Sequence, residues 1–118
     1  MTDFTGNARK ILVVDGLGCA AAAGLAAIPA LYRAVDPRAE SRPLVVLGLS
    51  ATSLVCLLGV RSPEAPALRT AAAVNAGWVA VCLRVLPRQR SRFGRALVLG
   101  TAVVDAAAGY AQLRLSRR

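Results

Sequence analysis

The chain has 118 residues, the length of one domain. Hydrophobic residues make up 56 %, charged residues 18 %, and the net charge is +9, which excludes a disordered chain and exceeds the apolar content that so small a body can bury in water. The bases stand in short clusters between apolar runs and there are only five aromatics, so anionic lipid head groups and topology signals account for the charge, and nucleic acid is excluded as a partner.

The first apolar segment runs from Ile11 to Tyr32, behind Arg9-Lys10. Asp15 interrupts it and three more apolar segments follow, so it reads as a retained helix rather than a signal peptide. Cys19 is not a lipoprotein site, because Gly16-Leu17-Gly18 lacks the bulky residue expected three positions back. Pro29 should kink this helix or end its regular part, freeing the carbonyl near Leu25. Asp36-Pro37 and Pro43 bound the connection to a second segment, Leu44–Val60. Ser62-Pro63 and Pro66 precede the third, Leu68–Leu86, where Arg69 and Arg84 can snorkel to head groups. Pro87 and Gly94 precede the fourth, Ala96–Leu113.

Segments of this length rise about 25–33 Å as helices, close to the hydrocarbon thickness. None has a charged face at helical spacing, so each should meet lipid all round. The short connections place sequential helices antiparallel. The expected fold class is all-α: a polytopic membrane protein, an antiparallel bundle of four transmembrane helices occupying residues 1–118, with no separate soluble domain. Small residues repeat every four positions in Gly16/Ala20/Gly24, in Gly18/Ala22/Ala26/Ala30 and in Ala72/Ala76/Ala80. Such ridges are candidate packing faces in lipid.

Fourteen of the fifteen bases are arginine and alanine is abundant. Both have GC-rich codons, which points to a bacterial source and hence to the inner membrane. Four spans put both termini on one side with seven bases (Arg9, Lys10, Arg61, Arg69, Arg114, Arg117, Arg118) and leave eight on the other (Arg33, Arg38, Arg42, Arg84, Arg88, Arg90, Arg92, Arg95). Charge bias therefore sets no orientation. Either the early helices fix one arrangement, or the chain inserts both ways and forms an antiparallel homodimer.

Polar side chains inside the spans are the candidate site: Asp15, Asn75, Asp105 and Gln112. Helical rise places Asp15, Asn75 and Asp105 in the membrane half nearer the termini. Thr101, Asp105, Ala108, Gly109 and Gln112 share a face of the fourth helix. An intramembrane carboxyl costs roughly 2.5–3.5 kcal/mol to insert and should face the bundle. Two readings follow. The residues form a small polar, proton-linked cavity, or they hydrogen-bond between helices, with Asn75 holding an Asp or a carbonyl and Asp15 near Lys10 or Arg69. Trp78 lies too deep for an interfacial belt, so its indole N–H needs a partner. Cys19, Cys56 and Cys82 sit in apolar runs and read as small packing residues, not disulfides. There is no histidine, no phosphate-binding glycine loop and no nucleophile–base arrangement. No enzyme, cofactor or metal site is expected.

Ala73-Val74-Asn75-Ala76-Gly77-Trp78 resembles the Asn-x-x-Trp signature of a group of uncharacterised small bacterial four-helix integral membrane proteins. Val14-Asp15-Gly16 resembles their first helix and Asp105–Leu113 their last. The second helix departs from the pattern, having little beyond Gly48. That resemblance implies a fold and no activity. The chain is also similar in span count and weak charge bias to small multidrug resistance transporters, whose first helix carries an acidic residue where Asp15 stands. It lacks their glutamate and their aromatic third helix. The function expected from these features is structural, packing with itself or with a larger membrane partner in the bilayer. The alternative is a small proton-coupled transporter working as an antiparallel homodimer.

Overall fold

Proline sets the breaks between helices. A computed structural model describes residues 2–33, 36, 42–61 and 63–117. They form α1 (Thr2–Ala26), α2 (Pro29–Tyr32), α3 (Arg42–Gly59), α4 (Glu64–Val85) and α5 (Arg92–Ser116), with one 3-10 turn at Leu86–Arg88. No strand occurs among the described residues.

The expected first span, Ile11–Tyr32, is two helices. Pro29 has no N–H, so the Leu25 carbonyl is met instead by the amide of Ile28 at 3.1 Å. Pro29 then opens α2 at a position where a missing N–H is harmless. The Ala27 carbonyl at the break accepts from Arg42 Nη1 at 2.9 Å, tying the break to the start of α3. Arg42→Ala should lower stability by about 0.5–1 kcal/mol, as for an exposed hydrogen bond. Thermal unfolding in detergent reads this, and an unchanged midpoint would show that the break holds without it.

Three helical segments, 42–59, 65–88 and 92–116, are long and apolar enough to cross a membrane by length and composition. α1 is not among them. Its break leaves only residues 11–26 beyond Lys10, and Asp15 falls within that stretch.

Contacts along α1 and α3 run in opposite chain order. Leu12 packs near Gly59, Gly16 near Leu57 and Ala27 near Arg42. In α4 and α5, Ala72 and Asn75 meet Gly109, while Cys82 clusters with Val98 and Ala102. These two helix pairs are tightly packed, and contact between the pairs is sparser. The body measures 48 × 21 × 17 Å.

The small-residue ridges pack within the chain only in part, at Gly16 and Ala72. Ala20, Gly24, Gly18, Ala76 and Ala80 are exposed. The buried stripe of α1 is Ala8, Leu12, Gly16, Cys19 and Ala23. On α4 it is Leu68, Ala71, Asn75 and Cys82, with Trp78 half-buried. The reason is angular. A step of four residues overshoots a turn by about 40°, so a strict four-residue ridge spirals off the contact, while alternating steps of three and four stay on it.

Side-chain polarity is inverted relative to a bundle in water. Val14, Leu44, Leu47, Val103 and Val104 are each more than 60 % exposed, while the largest fully buried side chains are Leu68, Gln112, Asn75 and Cys56. Soluble bundles bury leucine and expose amides. Two apolar clusters flank the buried amides along the axis. One joins Ala8, Leu12, Cys56, Leu68 and Ala71, and the other joins Cys82, Val98 and Ala102.

Candidate functional site

Three helices each contribute one polar side chain at the same level. Asp15 stands on α1, Asn75 on α4 and Gln112 on α5. Asn75 Nδ2 donates to Asp15 Oδ2 at 2.8 Å and to Gln112 Oε1 at 2.8 Å. Gln112 Nε2 donates to the same Asp15 oxygen at 2.6 Å. The three side chains close a ring. Its amide orientations are dictated by the ring itself, because turning Asn75 over would set its oxygen against two acceptors. Asn75 and Gln112 are fully buried and Asp15 is half-buried.

The ring links the two helix pairs, and further bonds support it. Ser53 Oγ donates to the Gly16 carbonyl at 2.7 Å, pinning α3 to α1 beside Asp15. The Cys19 thiol, one turn beyond Asp15, donates to Asp15 Oδ1 at 3.7 Å. Trp78 Nε1 donates to Thr52 Oγ1 at 2.9 Å, and Thr52 in turn donates to the Gly48 carbonyl at 2.8 Å. That joint connects α3 to α4 one turn from Asn75.

Two glycines permit these approaches. A Cβ on Gly109 would lie 3.2 Å from Asn75 Cβ, and one on Gly48 would lie 3.1 Å from the Trp78 ring. Gly109→Val should therefore push α5 off Asn75 and destabilise the fold by about 1–3 kcal/mol, with Gly109→Ala affected less. Denaturant titration of both variants checks the order. Equal stability of the valine variant and the parent would contradict the close contact.

The structure brings Asp15, Asn75 and Gln112 together and leaves Asp105 outside the ring. Asp105 is half-buried on the same stripe of α5, two turns before Gln112, and makes no hydrogen bond among the described residues. Lys10 and Arg69 are exposed, and no basic side chain pairs with Asp15 among the described residues. Trp78 has the partner its indole needs. The three cysteines are free and buried, but Cys19 is more than apolar filling, since its thiol faces the carboxylate. Its spacing of four from Asp15 was the available signal. Thr52 and Ser53 stand out in the sequence as hydroxyls in an apolar run, but their partners do not, because these lie on other helices or on the backbone.

Chemically, the ring offers one carboxyl acting only as acceptor toward neutral donors. One acceptor, Asn75 Oδ1, is buried without a partner. Among the described residues no group of three histidine, cysteine or acidic side chains is placed to hold a metal. No family model, curated protein or solved structure matches the chain.

Proposed function

We propose that this chain is an integral protein of the bacterial inner membrane. It is an antiparallel bundle of four spans whose role is structural, packing with itself or with a larger membrane partner. The observation that carries the structural role is the Asp15–Asn75–Gln112 ring. Its members hydrogen-bond one another across three helices, with Asn75 Oδ1 alone left over, as polar residues do when they join helices in lipid. The membrane reading draws on the three long apolar helices and on the inverted polarity of core and surface. α1 completes the count of four by its packing against α3, with Asp15 taken up by the ring rather than by lipid.

A second reading, the proton-coupled transporter, draws on Asp105. It is a second carboxyl in an apolar helix that the ring does not use.

Two experiments separate the readings. Asp15→Asn retains an oxygen acceptor for Asn75 and Gln112 and removes the proton site. The structural reading expects normal assembly and phenotype from Asp15→Asn and Asp105→Asn. The transporter reading expects either variant to abolish coupled flux in proteoliposomes, and unchanged flux in both would remove it. Paired cytoplasmic-only and periplasmic-only reporters at the C-terminus and within Arg88–Arg95 should report opposite sides, with one reporter active at each point. Both reporters active at one point would show insertion in two orientations and favour the transporter.

A further inference from the structure

The turn between α4 and α5 carries the densest charge in the chain. Residues 84–95 hold five arginines, Arg84, Arg88, Arg90, Arg92 and Arg95, and no acidic residue. All five are exposed. The turn is braced from within. Buried Gln89 donates through Nε2 to the Val85 carbonyl at 3.3 Å, and its own carbonyl accepts from Arg95 Nε at 3.4 Å. That bond uses one of the five guanidinium donors and holds Arg95 against the turn.

Beside the arginines lies a shallow, open cleft lined by Leu86, Pro87, Arg95, Ala96 and Leu99. Arg95 is its one charged wall, and the remainder is apolar. Leu99 lies about 10 Å along α5 from Arg92 by helical rise, so the cleft runs from the basic turn toward the apolar middle of the helix. Phe93, in the first turn of α5, is 65 % exposed, and an aromatic side chain there suits the head-group level.

We propose that this cleft and the turn above it bind an anionic phospholipid of the surrounding leaflet, with its phosphate on Arg95 and the neighbouring exposed Arg88 and Arg92 and an acyl chain along Leu86, Ala96 and Leu99. Charge complementarity selects the head group. Planar guanidinium forks pair with phosphate oxygens through two hydrogen bonds at once. The apolar lining selects a lipid over a soluble phosphate, which would leave Leu86, Pro87 and Leu99 unused. The inference rests on the membrane reading above.

The test is native mass spectrometry of the full chain released from nanodiscs containing equal phosphatidylglycerol and phosphatidylcholine. The parent protein should retain phosphatidylglycerol in preference. Each arginine near an anionic surface contributes about fivefold before screening, so Arg88→Gln/Arg92→Gln/Arg95→Gln should reduce the preference by about tenfold or more. Ala96→Trp, which fills the cleft and keeps every charge, should also reduce retention. Arg114→Gln/Arg117→Gln, at the far end of α5, should leave the preference intact. A preference that survives the triple substitution, or falls equally in the far-end variant, overturns the site. Retention unaffected by Ala96→Trp overturns the acyl-chain half of it. Lipid bound without preference defeats this site alone, whereas no bound lipid of either kind defeats the membrane reading as well.

Discussion

Asn75→Leu should destabilise the bundle by about 2–3 kcal/mol, although it replaces an amide with an apolar side chain of similar size. The substitution removes both bonds donated by Asn75 Nδ2. It leaves Gln112 Oε1 buried without a donor and deprives the Asp15 carboxyl of one of its two amide donors. Interhelical hydrogen bonds in membranes average about 0.6 kcal/mol and reach about 1.7, and a buried polar atom stripped of its partner adds about 1–3. The whole effect should belong to the ring. Gln112→Leu should cost a similar amount, and the Asn75→Leu/Gln112→Leu pair less than the sum, because each single substitution already breaks the bond that the two share. The triple variant Asp15→Leu/Asn75→Leu/Gln112→Leu should return to within about 1 kcal/mol of the parent, since removing every ring member leaves only the weak thiol donor of Cys19 without its acceptor. Trp78 is the only tryptophan, and its indole is bonded to Thr52 across the α3–α4 contact. Its fluorescence in a denaturant titration in bicelles therefore reports loss of that contact directly. Single substitutions within 0.5 kcal/mol of the parent, or a triple variant worse than any single one, would contradict the ring.

The members of this ring were legible in the sequence, and so was an Asn75–aspartate bond as one of two expected pairings; which aspartate it takes, and the part of Gln112, were not. An acid and two amides inside apolar runs stand out without a structure, and helical rise put Asp15 and Asn75 in the same half of the membrane. Which side chains meet depends on how each helix is rotated about its axis, and composition does not encode that. Asp105 and Gln112 share a stripe of α5, yet only Gln112 stands level with Asn75. Most of the ridge positions failed for a related reason. In an alanine-rich chain, small residues recur at every spacing, so a four-residue repeat carries little information about the contact face. Ala20 and Gly24 are exposed, while Cys19 and Ala23 are buried. The breaks were easier, because proline acts locally. A missing N–H at Pro29 disrupts the helix whatever surrounds it, and only the capture of the Ala27 carbonyl by Arg42, fifteen residues away, lay beyond the sequence.

Val104→Arg should impair insertion of α5 by about 3 kcal/mol, the penalty for an arginine at the centre of a spanning helix together with the small gain lost with valine. Val104 is central in Arg92–Ser116 and 66 % exposed. The prediction decides what solvent that face meets. If the bundle stood in water, an exposed valine replaced by arginine would change stability by less than about 0.5 kcal/mol, since the new charge would be fully hydrated. In lipid the same charge must snorkel about half the helix length to a head group or draw water inward. α5 has little margin to absorb this, because Asp105 and Gln112 already reduce its apolar character. A C-terminal reporter should show a fraction of chains whose α5 has not crossed, about a hundredfold shift in the insertion equilibrium at 1.4 kcal/mol per tenfold. Val98→Arg provides the contrast, for Val98 is buried against Cys82 and Ala102. An arginine there would harm either kind of bundle, so only the exposed position separates them. Insertion unchanged in Val104→Arg would mean that the apolar surface is covered by protein or water rather than lipid.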